Sequence, residues 1–466
     1  MNTLPDYPSD VSADDLITEL WHNNAKNDGR RHAPDFTVYK IGSTYYAQSS
    51  DPTSGDITPS TNALTVLQAC VNALDTETGG WIHIKHPSGG SFLATGTLTI
   101  DRSFVRITTS SRASGMYTNE SGNDIPWITK IVLDAANRKV WGVILEGLGM
   151  NELRFFNGTT SSYRVRYVHI IKCCIIAYST TNKQGVIFDS HGGAGIVDFI
   201  YFHGCNFLHK SQASNMGFFT SAASGGDGQG PFFFNHCWYY NYDCPSGVFV
   251  RFNVTSLAYI FSQMTLTAHQ SNCVMFQTAG ANTRVIWTNG EIENGGGGDL
   301  TILDIISGSS MQVYASITNT RWQASGGDGG ANTYMLDNDA TSFASNYHSC
   351  FIFTNNFCSG GGYMHAGDTG TGTANWSVII ENNGGFKTKS NGSATIGNGT
   401  ANVTVTHGLG NRSGGFTPTC VRVTGTTADT ASLYVDTVGT TTFRIVAADG
   451  VVGGDRTVYW EAYYQA

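Results

Sequence analysis

The chain has 466 residues, enough for two or three ordinary domains or for one long solenoid with appendages. Only 13% of them are charged while Gly reaches 56, a turn-rich, β-rich composition. The formal net charge of −9 excludes a nucleic-acid partner, which needs clustered Lys and Arg. No apolar run approaches the ~20 residues that cross a bilayer, so no membrane span is expected, and the polar start from Met1 to Asp6 holds no signal-peptide core. Ten cysteines in this length make no disulfide scaffold, and none of them has zinc-site spacing.

Residues 1–60 read as an N-terminal extension. It holds a helical stretch from Asp14 to Asn27, then a hairpin, FTVYKIGSTYYAQ, turning at Gly42-Ser43, then a Pro/Ser/Gly/Thr linker. From Asn62 the pattern ALTVLQACVNAL is apolar at helical spacing and runs into a Gly79-Gly80 turn followed by WIHIKHPSGGSF. This opening resembles that of the pectate-lyase-like right-handed β-helix superfamily, in which a short amphipathic helix caps a solenoid. Phe92 stands where that family's turn carries tyrosine. The resemblance spans roughly residues 50–390 and implies architecture more than activity.

Eight segments then align without gaps: HIIKCCIIA, YFHGCNFL, FFNHCWYY, IFSQMTLT, IWTNGEIE, SITNTRWQ, IFTNNFCS and IIENNGGF. Their anchors, Cys173, Gly204, His236, Gln263, Asn289, Asn319, Asn355 and Asn382, are 26 to 36 residues apart, one β-helix coil with a variable loop per step. The residue after each anchor (Cys174, Cys205, Cys237, Met264) is expected inside, and the residue after that outside. Four successive Asn anchors suit a sharp left-handed bend, an asparagine ladder at a corner. Triplets such as Phe232-Phe233-Phe234, Val285-Ile286-Trp287 and Phe351-Ile352-Phe353 are apolar on both faces, so their outer side needs a loop or a second subunit. A homotrimer packed along the long axis is the preferred cover.

The periodicity stops near residue 390. Residues 391–466 read as a β-sandwich-like domain that resembles small modules at the ends of phage and viral tail proteins; the resemblance implies trimerisation or glycan holding, with His407, Tyr434 and Trp460 as the residues to watch. The predicted fold is all-β: a right-handed parallel β-helix over 61–390, an N-terminal capping helix, and this C-terminal domain.

Side chains stacked on successive coils line a shallow groove that suits a linear polymer. The outward columns place Trp238 and Tyr240, Thr265 and Thr267, Glu291 and Glu293, then Arg321 and Gln323 on adjacent coils, with His209, Lys210, Tyr242 and His269 at nearby strand ends. Aromatic rings bind the apolar faces of sugars, paired carboxylates do acid and base work, and arginine holds an acidic sugar. Glu291, Glu293, Arg321 and His236 are therefore the catalytic candidates. Trp238, Tyr240, Tyr242, His209, Lys210 and His269 are the substrate-binding ones. Glu291 and Glu293 would have Cα atoms ~6.8 Å apart on one face, which admits retaining and inverting hydrolysis alike. β-Elimination on a uronic-acid polymer is the alternative, with His209, Lys210, His236, Tyr240 and Arg321 supplying base and counter-charge. A non-catalytic adhesive fibre is the other, with Glu291 and Arg321 forming an inter-coil ion pair. A second polar cluster, Asp189-Ser190-His191 with Asp198 and His203, reads as a Gly-rich surface turn. No cofactor is called for, no metal ligand set is identified, and assistance by a calcium ion stays open. The whole pattern resembles tailspike-like depolymerases, which implies an extracellular or virion-associated homotrimer acting on polysaccharide.

Overall fold

The computed structural model describes residues 33–464 apart from 52–54, 87–89, 111–121, 123–124, 158–162, 178–184, 191–195, 211–216, 222–229, 243, 253–256, 269–272, 279–281, 295–299, 306–311, 325–332, 339–348, 360–361, 364–375, 382–385, 388, 412–413, 416, 426–432 and 451. The helical stretch expected from Asp14 to Asn27, and the anchor Asn382, lie outside the described residues. The chain divides into two compact units. One is Met1–Ser211 with Phe218–Tyr239 and Asn253–Tyr259; the other is Gln212–Gly217, Tyr240–Phe252 and Ile260–Ala466.

The first unit opens with the expected hairpin, Phe36–Ile41 against Thr44–Ser49, closed by Gly42 at φ 60°. Its first strand joins a parallel sheet in which Phe36, Ile82, Ile107, Leu145, Ile170, Phe202 and Phe234 are cross-strand partners in turn. All seven are buried, so one inward file runs up the sheet. Helix α1 (Ala63–Ala73) begins at Asn62, whose side chain accepts from the Leu64 N–H. It buries Ala63, Val66, Leu67, Cys70 and Val71, one face at helical spacing. The Gln68 amide donates to the Thr99 carbonyl and accepts from the Thr99 N–H, both polar groups of one residue in the strand Leu93–Ile100. The capping helix thereby closes a sheet edge that would otherwise be unpaired.

The turn into the first coil strand has a steric cause. Gly79 sits at φ 66° against the Phe104 carbonyl, where an added Cβ would lie 2.3 Å from that oxygen.

In the second unit the same layout recurs. Trp287 pairs with Ile317 and Ile317 with Phe353, all fully buried, while Leu266, Ile292 and Trp322 form the matching file on the next strand of each coil. Parallel strands stacked coil on coil around such files make a parallel β-helix. After it, beside a small sheet of Phe386–Lys387, Gly410–Asn411 and Gly414–Gly415, come two longer three-stranded antiparallel sheets. Lys389–Ile396, Arg456–Tyr463 and Cys420–Gly425 form one; Asn402–Thr406, Thr442–Ala447 and Leu433–Asp436 form the other. They share a core of Ile396, Val405, Phe443, Ile445, Val458 and Trp460, the sandwich-like domain expected.

The corners are left-handed, and they correct one register. His236, Gln263, Asn289, Asn319 and Asn355 have φ between 52° and 56°, and Gly204 has 59°. In the coil before Gly204, however, the left-handed residue is Lys172 at φ 49°, not Cys173. Cys173 is the buried residue after the corner and Cys174 pairs with Asn206, so every position assigned from that anchor moves by one. The interior file after the corner is Cys173, Cys205 and Cys237 in the first unit, and Met264, Thr320 and Asn356 in the second, all buried. Burial pushes the Cys173 thiol up to about 12 and raises Cys205 well above its ordinary value, so these thiols pack as apolar groups that donate to carbonyls of neighbouring coils. The corner asparagines Asn289, Asn319 and Asn355 are exposed, whereas Asn356 beside the last of them lies inside. Its amide accepts from the Thr320 N–H at 2.9 Å and donates to the Ile317 carbonyl at 2.9 Å.

A second left-handed column went unread in the sequence. Phe104, Gly142, Tyr167 and Phe199 bend at φ 57°, 66°, 56° and 55° on successive coils of the first unit. Bulky residues rarely adopt this backbone. Here Gly142 leaves room for the Phe104 ring, and Tyr167 stacks on Phe199 at 5.1 Å with the Arg166 guanidinium over both rings.

Candidate functional site

The outward face of the second unit brings three of the expected residues together. In Glu291–Asn294 the side chains alternate, with Ile292 fully buried between the partly exposed Glu291 and Glu293. Parallel pairing sets Thr265 beside Glu291 and Thr267 beside Glu293 on one side, and Arg321 beside Glu291 on the other. The Arg321 guanidinium stands 3.7 Å from the Glu291 carboxylate, with side chains 60% and 42% exposed. At that exposure the contact adds little to stability, roughly 0–1 kcal/mol, and leaves both groups reachable. Glu293 accepts from the nearly buried Thr267 hydroxyl at 3.4 Å, so one carboxylate rests on a hydroxyl and the other beside a cation. Tyr240 and Tyr242, in the same unit, stack at 5.9 Å, and Tyr242 is 49% exposed.

Trp238 and Lys210 are half-buried residues of the first unit, and His236 occupies an exposed corner with its ring 2.8 Å from the Asn235 amide oxygen. His269 lies outside the described residues. His209 is a correction: it is fully buried, its Nδ1 is 2.9 Å from the Tyr239 hydroxyl and its ring meets Phe218, so it is a core histidine that meets no substrate. Its strand, Asn206–His209, buries both Leu208 and His209, so simple alternation fails at the strand's end. Burial pushes this imidazole down to about 3.

A folded-state value below the unfolded one (near 6.5) means that protons favour the unfolded chain: the contribution is complete above about pH 6.5 and is lost as pH falls toward 3. Stability is expected to drop by about 2 kcal/mol between about pH 6.5 and pH 5 from this residue. Urea unfolding at both values checks it, and His209→Gln should flatten the slope; equal slopes in parent and variant would refute the assignment.

Of the cluster expected around Asp189, the Gly-rich turn itself, residues 191–195, lies outside the described residues. Asp198 forms a two-point ion pair with Arg166, 2.6 Å at its longer contact, and His203 stacks on His169 at 6.0 Å. Burial raises the Asp198 carboxyl above its ordinary value despite the arginine, while the hydrogen bonds to Asp198 raise Arg166. A two-point pair whose carboxylate is almost covered holds two coils together. Of the C-terminal residues singled out, His407 and Trp460 belong to the core. His407 is buried against Phe443 and caps the Leu409 N–H, while Trp460 meets Phe443 edge-on. Tyr434 is exposed. Among the described residues no group of three or more His, Cys, Asp or Glu is arranged to hold a metal ion.

No protein family and no curated protein matches the sequence. Solved structures with some likeness include phage tailspike proteins. The tailspike gp49 of Pseudomonas phage LKA1 is 12% identical with a TM-score of 0.32, over 84% of this chain and 67% of that one. A mutant tailspike of E. coli bacteriophage HK620 in complex with pentasaccharide is 10% identical with a TM-score of 0.31, over 89% and 92%. The tailspike gp49 of Acinetobacter baumannii bacteriophage Fri1, a capsular polysaccharide depolymerase, is 11% identical with a TM-score of 0.28, over 85% and 82%. Scores of this size transfer neither a site nor an activity to this chain. The class defined by its own strands is the parallel β-helix protein.

Proposed function

We propose that the second unit binds a linear polysaccharide across the outward rows of its stacked strands and hydrolyses it with Glu291 and Glu293 as the two carboxyl groups. The observation that carries this reading is the pair itself. Two partly exposed carboxylates, two residues apart on one strand with Cα atoms ~6.8 Å apart, face the same way beside Arg321 and Thr267. Arg321 orients an acidic or hydroxyl group of the sugar next to Glu291, and Tyr242 offers an apolar ring face. Successive coils repeat at about 4.8 Å, a row of polar rungs suited to a repeating polymer. The protein is also proposed to act in the extracellular space or on a virion surface, where surface polysaccharides are met.

The test is a panel of neutral and acidic polysaccharides assayed for new reducing ends and for absorbance of unsaturated uronic products. Reducing ends without that absorbance support hydrolysis. Absorbance replaces it with β-elimination, and neither signal leaves an adhesive fibre.

The protein is further proposed to be a homotrimer. Ile286 and Ile352, the outer members of their apolar triplets, are only partly covered, and Ile379 is 40% exposed on the strand paired with Ile352. Sedimentation equilibrium is expected to give three chains per particle, and Ile352→Asp with Ile379→Asp to shift it toward the monomer; a monomeric parent rules the trimer out.

A further inference from the structure

We infer that the outer face of the sheet formed by Lys389–Ile396, Arg456–Tyr463 and Cys420–Gly425 binds an acidic oligosaccharide, at a site separate from the Glu291 pair. The inner row of the central strand, Val458, Trp460 and Ala462, belongs to the domain core, which turns Tyr459, Glu461 and Tyr463 outward. Tyr459 is 57% exposed and makes no ring contact among the described residues. In register beside it stand the exposed hydroxyls of Ser393 and Thr424, and Asn391 follows one rung along, next to Glu461. Four residues farther on the same face, with its Cα about 13.6 Å away, Tyr463 donates its hydroxyl to Glu461 at 2.5 Å.

Two cations converge on that Tyr463 ring from opposite strands, Lys389 at 5.1 Å and Arg422 at 5.8 Å from its centroid. Among the described residues neither has a carboxylate within 4.0 Å, whereas Arg444 and Arg456 of the same domain are paired with Asp436 and Asp449 at 2.6 and 2.8 Å. The face thus presents an exposed aromatic ring at one end, two cations without a close carboxylate at the other, and hydroxyl and amide groups between, with Glu461 in register beside Arg422 and its carboxylate bonded to the Tyr463 hydroxyl. A sugar ring has an apolar face for Tyr459, and a sugar carboxylate meets Lys389 and Arg422 through charge-assisted hydrogen bonds. A second protein copy is the poorer occupant, since one exposed ring amid polar side chains offers little apolar area to bury.

The test uses the full chain carrying Glu291→Gln and Glu293→Gln, so that the probe is not consumed. It is titrated calorimetrically with oligogalacturonate, and with a maltooligosaccharide as neutral control. Oligogalacturonate is expected to bind, the neutral oligomer not, and Tyr459→Ala and Arg422→Gln each to weaken binding about tenfold, while Tyr459→Phe retains it. Undiminished binding by Tyr459→Ala, equal binding of the neutral oligomer, or no binding of oligogalacturonate overturns the site. So does a change in sedimentation of the unliganded Tyr459→Ala chain, which would make the face a contact between copies. Absence of hydrolysis by the unsubstituted chain sinks the Glu291 proposal alone and leaves this titration untouched.

Discussion

Glu291→Gln and Glu293→Gln are each expected to lower polysaccharide hydrolysis by about 10²- to 10⁴-fold while leaving the fold intact. The size follows from the role: a positioned carboxyl group that transfers a proton in the transition state contributes that much, and an amide of nearly the same shape transfers none. The fold survives because both side chains point out from the solenoid while Ile292 between them holds the interior. Arg321→Gln should have a smaller effect, weighted toward KM on an acidic polymer, since it orients and does not exchange protons. Initial rates of reducing-end release, with circular dichroism to confirm folding, check all three. Full activity in both glutamate variants would move the chemistry elsewhere on the chain.

The largest effect on stability is expected at Trp287. Its side chain is fully buried in the second unit, in van der Waals reach of the Phe261 and Phe276 rings. Gly290, three residues later, interrupts a file otherwise filled by Met264, Thr320 and Asn356 because the Trp287 indole occupies its space: a Cβ there would lie 2.1 Å from the indole nitrogen. Trp287→Ala is therefore expected to cost about 3–5 kcal/mol, and Gly290→Ala about 1–3 kcal/mol by overpacking. The ring is the nearer of two obstacles, the Met264 carbonyl oxygen lying 2.7 Å from the same Cβ, so Gly290→Ala should cost less, though not nothing, in a Trp287→Ala background. A double-mutant cycle by denaturant unfolding measures this; strictly additive losses would show that the indole is not what excludes a side chain at Gly290.

The coil repeat was legible because it is written in a physical necessity: each rung must bury the same positions, so apolar residues recur on one column. The corner was legible where asparagine occupies it, at Asn289, Asn319 and Asn355, and was misplaced by one where Lys172 precedes two adjacent cysteines. Either cysteine suits an interior site, and only the backbone angle decides between them. Phe104, Tyr167 and Phe199 bend against their intrinsic preference, so no propensity announces their column; ring stacking and Arg166 hold it.

The Glu291, Glu293 and Arg321 grouping followed from the repeat, because parallel register converts equal offsets into neighbours. His209 did not, since its strand departs from alternation at the end. Nor did the convergence of Lys389, Arg422 and Tyr463, which come from three antiparallel strands whose pairing no repeat fixes.

Gln68 has a consequence for how these molecules coexist at high concentration. By satisfying both the N–H and the carbonyl of Thr99, it withdraws the lowest rung from the hydrogen-bonding market that rungs of any other molecule would join. A stack of identical rungs is in principle indefinitely extendable, as in fibrils. One amide side chain on a short helix therefore blocks extension at one rung of this strand, where the next copy's backbone would otherwise pair.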